Sequence, residues 1–553
     1  MKKFAAVLLG IIVFAVASGC RAGGQDILPE GGPEESLIPA TLPPPSAAAP
    51  DDRIRVAMRP EVNLNPIFPK HYATSSLLEL IYQPLFDVTS DGRIQPVLAR
   101  SWRWSADGLE CSIRLEENRH FHNGQAVTAQ DARASMEQFL KLMNGRSVVD
   151  DPVESLDPFP MPDLFSGIEK WRYQSYQNII SVAVNEAGEL VIGLREPDPL
   201  LPRLLLFPIV PESQAQSQSM TPPAGTGDWQ VESHSASHLV LTGGSGRIRR
   251  IEASVYPTAV EAAYAFELGE IDLLLMDSAE TALFADRSRI RKQLFDDAGY
   301  LSLFFSGSKG NSRDNRDALL YVFGSDPELS TLSVPFPYAG YPVSRGDFRL
   351  RGAAVPPLEV PKIPENFGLP EGAVEFDEKG EPVSPDLPPF KLLVPVRTIQ
   401  AGLIRRLSIA FLRINRKLIV EEVHAEDWPA TLSQRKFDAV MLADTVPFFP
   451  DPADYLDGLR ALGLLDGMEA MESGSEELLR QARLASLDLS GEEGNSLSPD
   501  SYAEAVNRVF KALPVTGLAA TATMVWYSRN IEGSLPGTSR APYLGVEDLF
   551  VWR

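Results

Sequence analysis

The chain has 553 residues, 44% of them hydrophobic, and a formal net charge of −23. That much apolar material excludes a disordered chain, and the length predicts roughly two to four domains. The acidic balance and the lack of any basic stripe exclude nucleic acid as a partner.

Met1-Lys2-Lys3 supplies a short basic start, and Phe4 to Ala17 is an unbroken apolar run. The run is too short to cross a bilayer core of about 30 Å, which takes roughly 20 helical residues. Residues 1–19 therefore read as a signal peptide. It ends in Ala17-Ser18-Gly19 directly before Cys20, the pattern of a lipobox, although Leu is usual where Ala17 stands. Cys20 is the expected lipidation site. Residues 20–52 are rich in Pro, Gly, Ser and Ala with no apolar period, a flexible tether rather than a fold. With Cys20 lipidated, Cys111 alone remains and no intrachain disulfide is possible.

Order is expected from Arg53. Ile54–Met58 alternates as a strand, and Ser75–Tyr82 reads as a helix capped by Ser75. Ser90-Asp91-Gly92 and Asp107-Gly108 carry hairpin-turn chemistry. Leu109–Leu115 alternates as a strand holding Cys111 on its apolar side, and Thr128 with Asp131 opens a helix. Strands and helices keep interleaving to the C-terminus, which predicts an α/β chain. Asp151–Asp163, Ser325–Pro389 and Asp488–Asp500 read as long loops or insertions, with a strand resuming at Phe390–Val396.

No hydrolase or phosphate-loop signature is present, so no catalytic residue and no cofactor is expected. His120 and His122 flank an Asn123-Gly124 turn. A zinc site needs three or four ligands, and no third His or Cys lies nearby, so no metal site is expected. His234 and His238 fit a loop running into the strand Leu239–Leu241.

A set of blocks in fixed order resembles the family 5 extracellular solute-binding proteins, the oligopeptide- and dipeptide-binding subunits of ABC importers. They are Asn63-Leu64-Asn65-Pro66, Ile81-Tyr82-Gln83-Pro84-Leu85, Leu98-Ala99-Arg100-Ser101-Trp102 and Phe121-His122-Asn123-Gly124 with Val127–Asp131. Gly225-Thr226-Gly227, Leu268–Asp272, Phe437-Asp438-Ala439 and Asp451-Pro452 follow. The resemblance implies a two-lobed, periplasmic-binding-protein-like clamshell of type II, in the large peptide-binding subclass. It implies lobe I over 53–305, lobe II over 306–520 and a C-terminal return to lobe I over 521–553. The crossings fall near Leu301–Phe305 and Thr521–Tyr527.

The resemblance further implies a monomer that takes a peptide or small-molecule ligand and works with ABC permease and ATPase subunits, held to the membrane by its lipid. Candidate ligand contacts are Asn63, Leu64, Trp428, Asp444, Phe448, Phe449, Asp451, Tyr455 and Trp526. In peptide-binding members an Asp shortly before the Asp-Pro step pairs with the peptide amine, and here Phe448 stands at that place. That departure and the Pro-rich middle motivate a second reading, a degenerate member acting as a surface interaction or scaffold lipoprotein.

Overall fold

In the computed structural model, the described residues are 50–68, 70–144, 176–276, 290–306, 316–317, 319–320, 347, 349–350, 353, 389–395, 401–413, 416–424, 427–445, 451–466, 473–485, 498–538 and 540–553. All lie in the unit Ala48–Arg553. Cys20, most of the expected tether and the Asp151–Asp163 loop lie outside them. So do Phe448, Phe449 and nearly all of Ser325–Pro389 and Asp488–Asp500.

The chain opens with strands β1 (Pro50–Asp51) and β2 (Arg53–Met58), helix α1 (Tyr72–Leu78), and strands β3 (Phe86–Val88), β4 (Ile94–Pro96), β5 (Ala99–Trp104) and β6 (Glu110–Leu115). Helix α2 (Ala129–Asn144) and strands β7 (Ile179–Val184), β8 (Leu190–Leu194), β9 (Trp229–His234), β10 (His238–Gly243) and β11 (Arg250–Val255) follow. Then come α3 (Ala259–Glu267), β12 (Leu273–Met276) and the long β13 (Arg291–Phe305). Beyond these lie β14 (Phe390–Pro395), α4 (Ala401–Arg413), β15 (Leu418–Val423), α5 (Trp428–Gln434) and β16 (Ala439–Thr445). Helices α6 (Pro452–Ala461), α7 (Ser473–Ala485) and α8 (Pro499–Ala512) precede β17 (Val515–Tyr527), β18 (Ile531–Glu532) and β19 (Phe550–Trp552).

Local chemistry explains the first elements. Helix α1 starts earlier than the sequence suggests, because His71 accepts the Ala73 N–H and caps it in place of Ser75. Thr89-Ser90-Asp91-Gly92 closes the β3–β4 hairpin, with Gly92 at φ 92° where a β-carbon would be strained. At the start of α2 the Asp131 carboxylate accepts from both the backbone and hydroxyl of Thr128, at 2.8 and 2.7 Å.

One ten-stranded sheet runs in the order β15-β14-β16-β13-β17-β12-β2-β11-β10-β9. Its β12-to-β9 end carries one core on each face. One holds Ile54, Val56, Leu239, Leu273 and Val525; the other holds Ala57, Phe266, Leu274 and Trp526. The β15-to-β16 end carries a third core with Leu393, Val440, Tyr455, Tyr502 and Phe510. A separate sheet, β5-β6-β8-β7, packs on α2 around a fourth core containing Cys111, Ile113, Met136 and Leu201. The lobes are thus separately packed bodies strung on one sheet.

Strands β13 and β17 are the link. Their first stretch pairs Arg291 to Phe295 with Tyr527 to Thr523, beside β12 in lobe I. Their second pairs Gly299 to Phe304 with Thr521 to Val515, beside β16 in lobe II. Between Phe295 and Gly299, residues 296–298 of β13 lie against residue 522 of β17, so the ladder is bulged where the lobes meet. A bulge bends and twists a ribbon locally, which suits a connection between two bodies.

Candidate functional site

The family-like blocks of lobe I turn out to be joints. Asn65 donates its side-chain amide to the carbonyls of Gln214, Ala215 and Ser217 at 2.9–3.1 Å. Asn63 is buried, and its Oδ1 accepts from Asn65 N–H and Lys70 Nζ. Leu64 is fully buried in the lobe I core. His122 Nε2 meets the Gly227 carbonyl at 2.8 Å, while Thr226 and Gly227 both donate to the Ile81 carbonyl. These blocks tie the β5-β6-β8-β7 body to the main sheet of lobe I.

The two candidate tryptophans are also packed inside. Trp428 opens α5 and lies in the lobe II core, with its Nε1 unpaired among the described residues. Trp526 packs edge-on against Phe266 at 5.5 Å, with Lys292 above its ring.

Asp444, Asp451 and Tyr455 stand differently. Asp444, next to last in β16, pairs with Tyr300 of β13, beside the bulge that links the lobes. The chain re-enters the described structure at Asp451, which caps α6 by accepting from Ala453 and Asp454 N–H. Tyr455, one turn on, shares a 2.7 Å hydrogen bond with Ser302 of β13.

Around the α6 N-terminus lies a buried set of charges. Arg349 donates to Asp451 Oδ2 at 2.6 Å and to both oxygens of Asp347, and it lies over the Tyr502 ring at 4.9 Å. Arg483 of α7 donates to Asp454 Oδ1 at 3.0 Å and to Asp457 Oδ2 at 2.7 Å. Arg203, from the short helical turn Leu201–Leu204 in lobe I, donates to Asp454 Oδ2 at 2.8 Å. Burial pushes the Asp451 carboxyl up, but Arg349, Arg203 and Arg483 outweigh it and hold it well below the ordinary carboxylate range. The helix N-terminus favours the same charged form.

The sequence singled out Asp451 and Tyr455 as ligand contacts but gave no role to Arg203, Asp347, Arg349, Asp454 or Arg483. One signal was available: Arg203 interrupts the apolar run Leu200–Phe207, where an arginine needs a buried partner. Arg483 gave no local sign, and the tie of Arg349 to Asp451 gave none either, because those partners lie far along the chain. Among the described residues no group of three or more His, Cys, Asp and Glu side chains is placed to hold a metal ion.

Residues 93–326 match the family model described as bacterial extracellular solute-binding proteins, family 5 Middle. The nickel-binding periplasmic protein of Escherichia coli (strain K12) is 26% identical over 380 residues, covering 62% of this chain and 66% of that protein. The chain thus aligns with just under two thirds of that relative's length. Among solved structures, NikA from Brucella suis in complex with Fe(III)-EDTA superposes with a TM-score of 0.60 at 17% identity, over 90% of this chain and 99% of its own. The unliganded open form of MppA, a periplasmic murein tripeptide-binding protein, gives 0.63 at 14% identity, over 92% and 99%. Over residues 93–326 the chain is similar to the family 5 extracellular solute-binding proteins, and it shares the two-lobed fold of NikA and MppA over nearly the whole of those structures.

Proposed function

We propose that this protein is the substrate-binding lipoprotein of an ABC importer, which encloses a peptide or another small solute between its lobes and delivers it to a membrane permease. One observation carries the reading. Strand β16 runs beside the bulged link between the lobes, and helix α6 is ion-paired to the opposite lobe through Asp454 and Arg203. Elements so placed border whatever lies between the lobes, and ligand sites favour such junctions.

On this reading Asp444, Phe448, Phe449 and Asp451 are the proposed ligand contacts from the second half of the chain. Tyr455, Trp428, Asn63, Leu64 and Trp526 support it from the packed lobes. The ligand class follows the family: the relatives above are named for nickel and murein tripeptide binding.

Native mass spectrometry of protein isolated from its own host tests the proposal. A co-purifying small molecule, and a thermal upshift with peptides or metal chelates, are the expected results. An empty cleft with no shift across both libraries would overturn it in favour of the scaffold reading.

The anchor is a separate part of the proposal. Two or three acyl chains on Cys20, each buried CH₂ worth about 0.8 kcal/mol, would hold the protein firmly to a membrane. Cys20→Ala is expected to move it from the detergent phase to the aqueous phase, and unchanged partitioning would refute lipidation.

A further inference from the structure

The Asp454 carboxylate is divided between the lobes. It sits in the first turn of α6, buried, where the helix N-terminus favours negative charge. Its Oδ1 is held at home by Arg483, while its Oδ2 faces Arg203 of lobe I. Arg203 is fixed from its own side: Leu201 and Leu204, its neighbours on the same turn, are buried in the core of the β5-β6-β8-β7 body. The Arg203 side chain is only 14% exposed, so the pair is largely shielded from solvent and counter-ions. Asp198, three residues before that turn, lies in the field of Arg203, Arg483 and Asp454, and burial pushes its carboxyl up.

We propose that Arg203 and Asp454 form an interlobe clasp that biases the ligand-free protein toward the arrangement in which its lobes touch. Parting the lobes breaks this pair and leaves each lobe's own packing intact. Arg483 keeps Asp454 paired within lobe II, so the open state is accessible rather than forbidden. A binding protein pre-biased in this way loses less affinity to its open population, since apparent affinity scales with the fraction already competent.

The test uses the full chain with no solute added, so its outcome does not depend on what the protein binds. Single-molecule energy transfer between one dye on the β5-β6-β8-β7 body and one on α7 reports the lobe separation. Arg203→Ala and Arg203→Gln are each expected to raise the open-to-closed ratio about tenfold, with the glutamine variant keeping the stem packed against its turn. Thermal denaturation checks that both variants are folded. Raising wild type to molar salt gives a third reading that needs no substitution, and it should shift the ratio the same way by a smaller factor. A glutamine variant with the wild-type distribution would overturn the clasp.

Discussion

Replacing Asp272 with alanine should destabilise lobe I by about 3 kcal/mol. Asp272 is fully buried at the head of β12 and accepts four bonds: from Arg55 N–H at 2.8 Å, Arg55 Nε at 3.1 Å, Arg55 Nη2 at 2.8 Å and Arg553 Nη2 at 2.6 Å. Leaving the Arg55 N–H without an acceptor costs roughly 1–3 kcal/mol. Breaking a fully buried pair costs about 3–5 kcal/mol. Here the Arg55 and Arg553 side chains are 30% and 27% exposed and can turn to water, which trims that share to about 1–2 kcal/mol. For a body spanning Ala48–Arg553 the melting entropy is roughly 1 kcal/mol per degree, so the melting temperature should fall by only about 3 °C. Scanning calorimetry of Asp272→Ala, Arg55→Ala and the double variant isolates the pair, with an expected coupling of about 1–2 kcal/mol. A coupling below about 0.5 kcal/mol would show that the bonds contribute by geometry alone, and the reasoning would be wrong.

Other outcomes follow from individual residues. Burial pushes the Glu79 carboxyl up to about 7, with Arg540 opposing and Asp87 assisting. Its native value lies above the ordinary 4.5, so the folded state keeps the proton longer and stability falls as pH rises between those values. Glu79→Gln should therefore gain up to about 3 kcal/mol over wild type at pH 8 and almost nothing below pH 4.5, as read by urea denaturation. Burial pushes the Cys111 thiol up to about 12, so iodoacetamide at pH 8 should label it only after unfolding; fast labelling of the native protein would contradict its place in the core. In Gly225→Ala the new β-carbon would lie 2.1 Å from the Ile81 carbonyl oxygen, a backbone clash that should cost about 1–3 kcal/mol and loosen the contact with His122. Arg349→Ala leaves Asp347 and Asp451 buried without their cation and should cost about 3–5 kcal/mol in lobe II. Asp451 has a depressed carboxyl, so the stability it contributes is present above the ordinary value and is lost as pH falls through the folded one.

The α/β alternation, both Asp-Gly and Ser-Asp-Gly turns, the α2 start and the Phe390 strand were legible because each is written in neighbouring residues. The family blocks were legible for the same reason, yet Asn65, His122 and Gly227 proved to be joints within lobe I. Order and spacing identify an architecture without saying which of its residues meet a ligand. The α1 boundary shifted because a histidine took the cap, a use of Nδ1 that residue preferences do not favour. The charged set at α6 was hidden for a different reason. Arg203, Arg349 and Arg483 reach partners 251, 102 and 29 positions away, and no local pattern encodes pairing over such distances.

The bulged ribbon of β13 and β17 also has a mechanical consequence. Two strands hydrogen-bonded side by side resist stretching along their length and sliding past one another, because either motion breaks the ladder. They yield readily to flexing out of their common plane, most of all where three residues face one. A second irregularity follows at once, between Leu301 and Ser302, where the surplus residue lies on β17 instead. The opposed surpluses curve the ribbon and leave a net slip of only one residue in register. Lobe II therefore swings on something close to a single-axis joint, and one angle suffices to describe its travel.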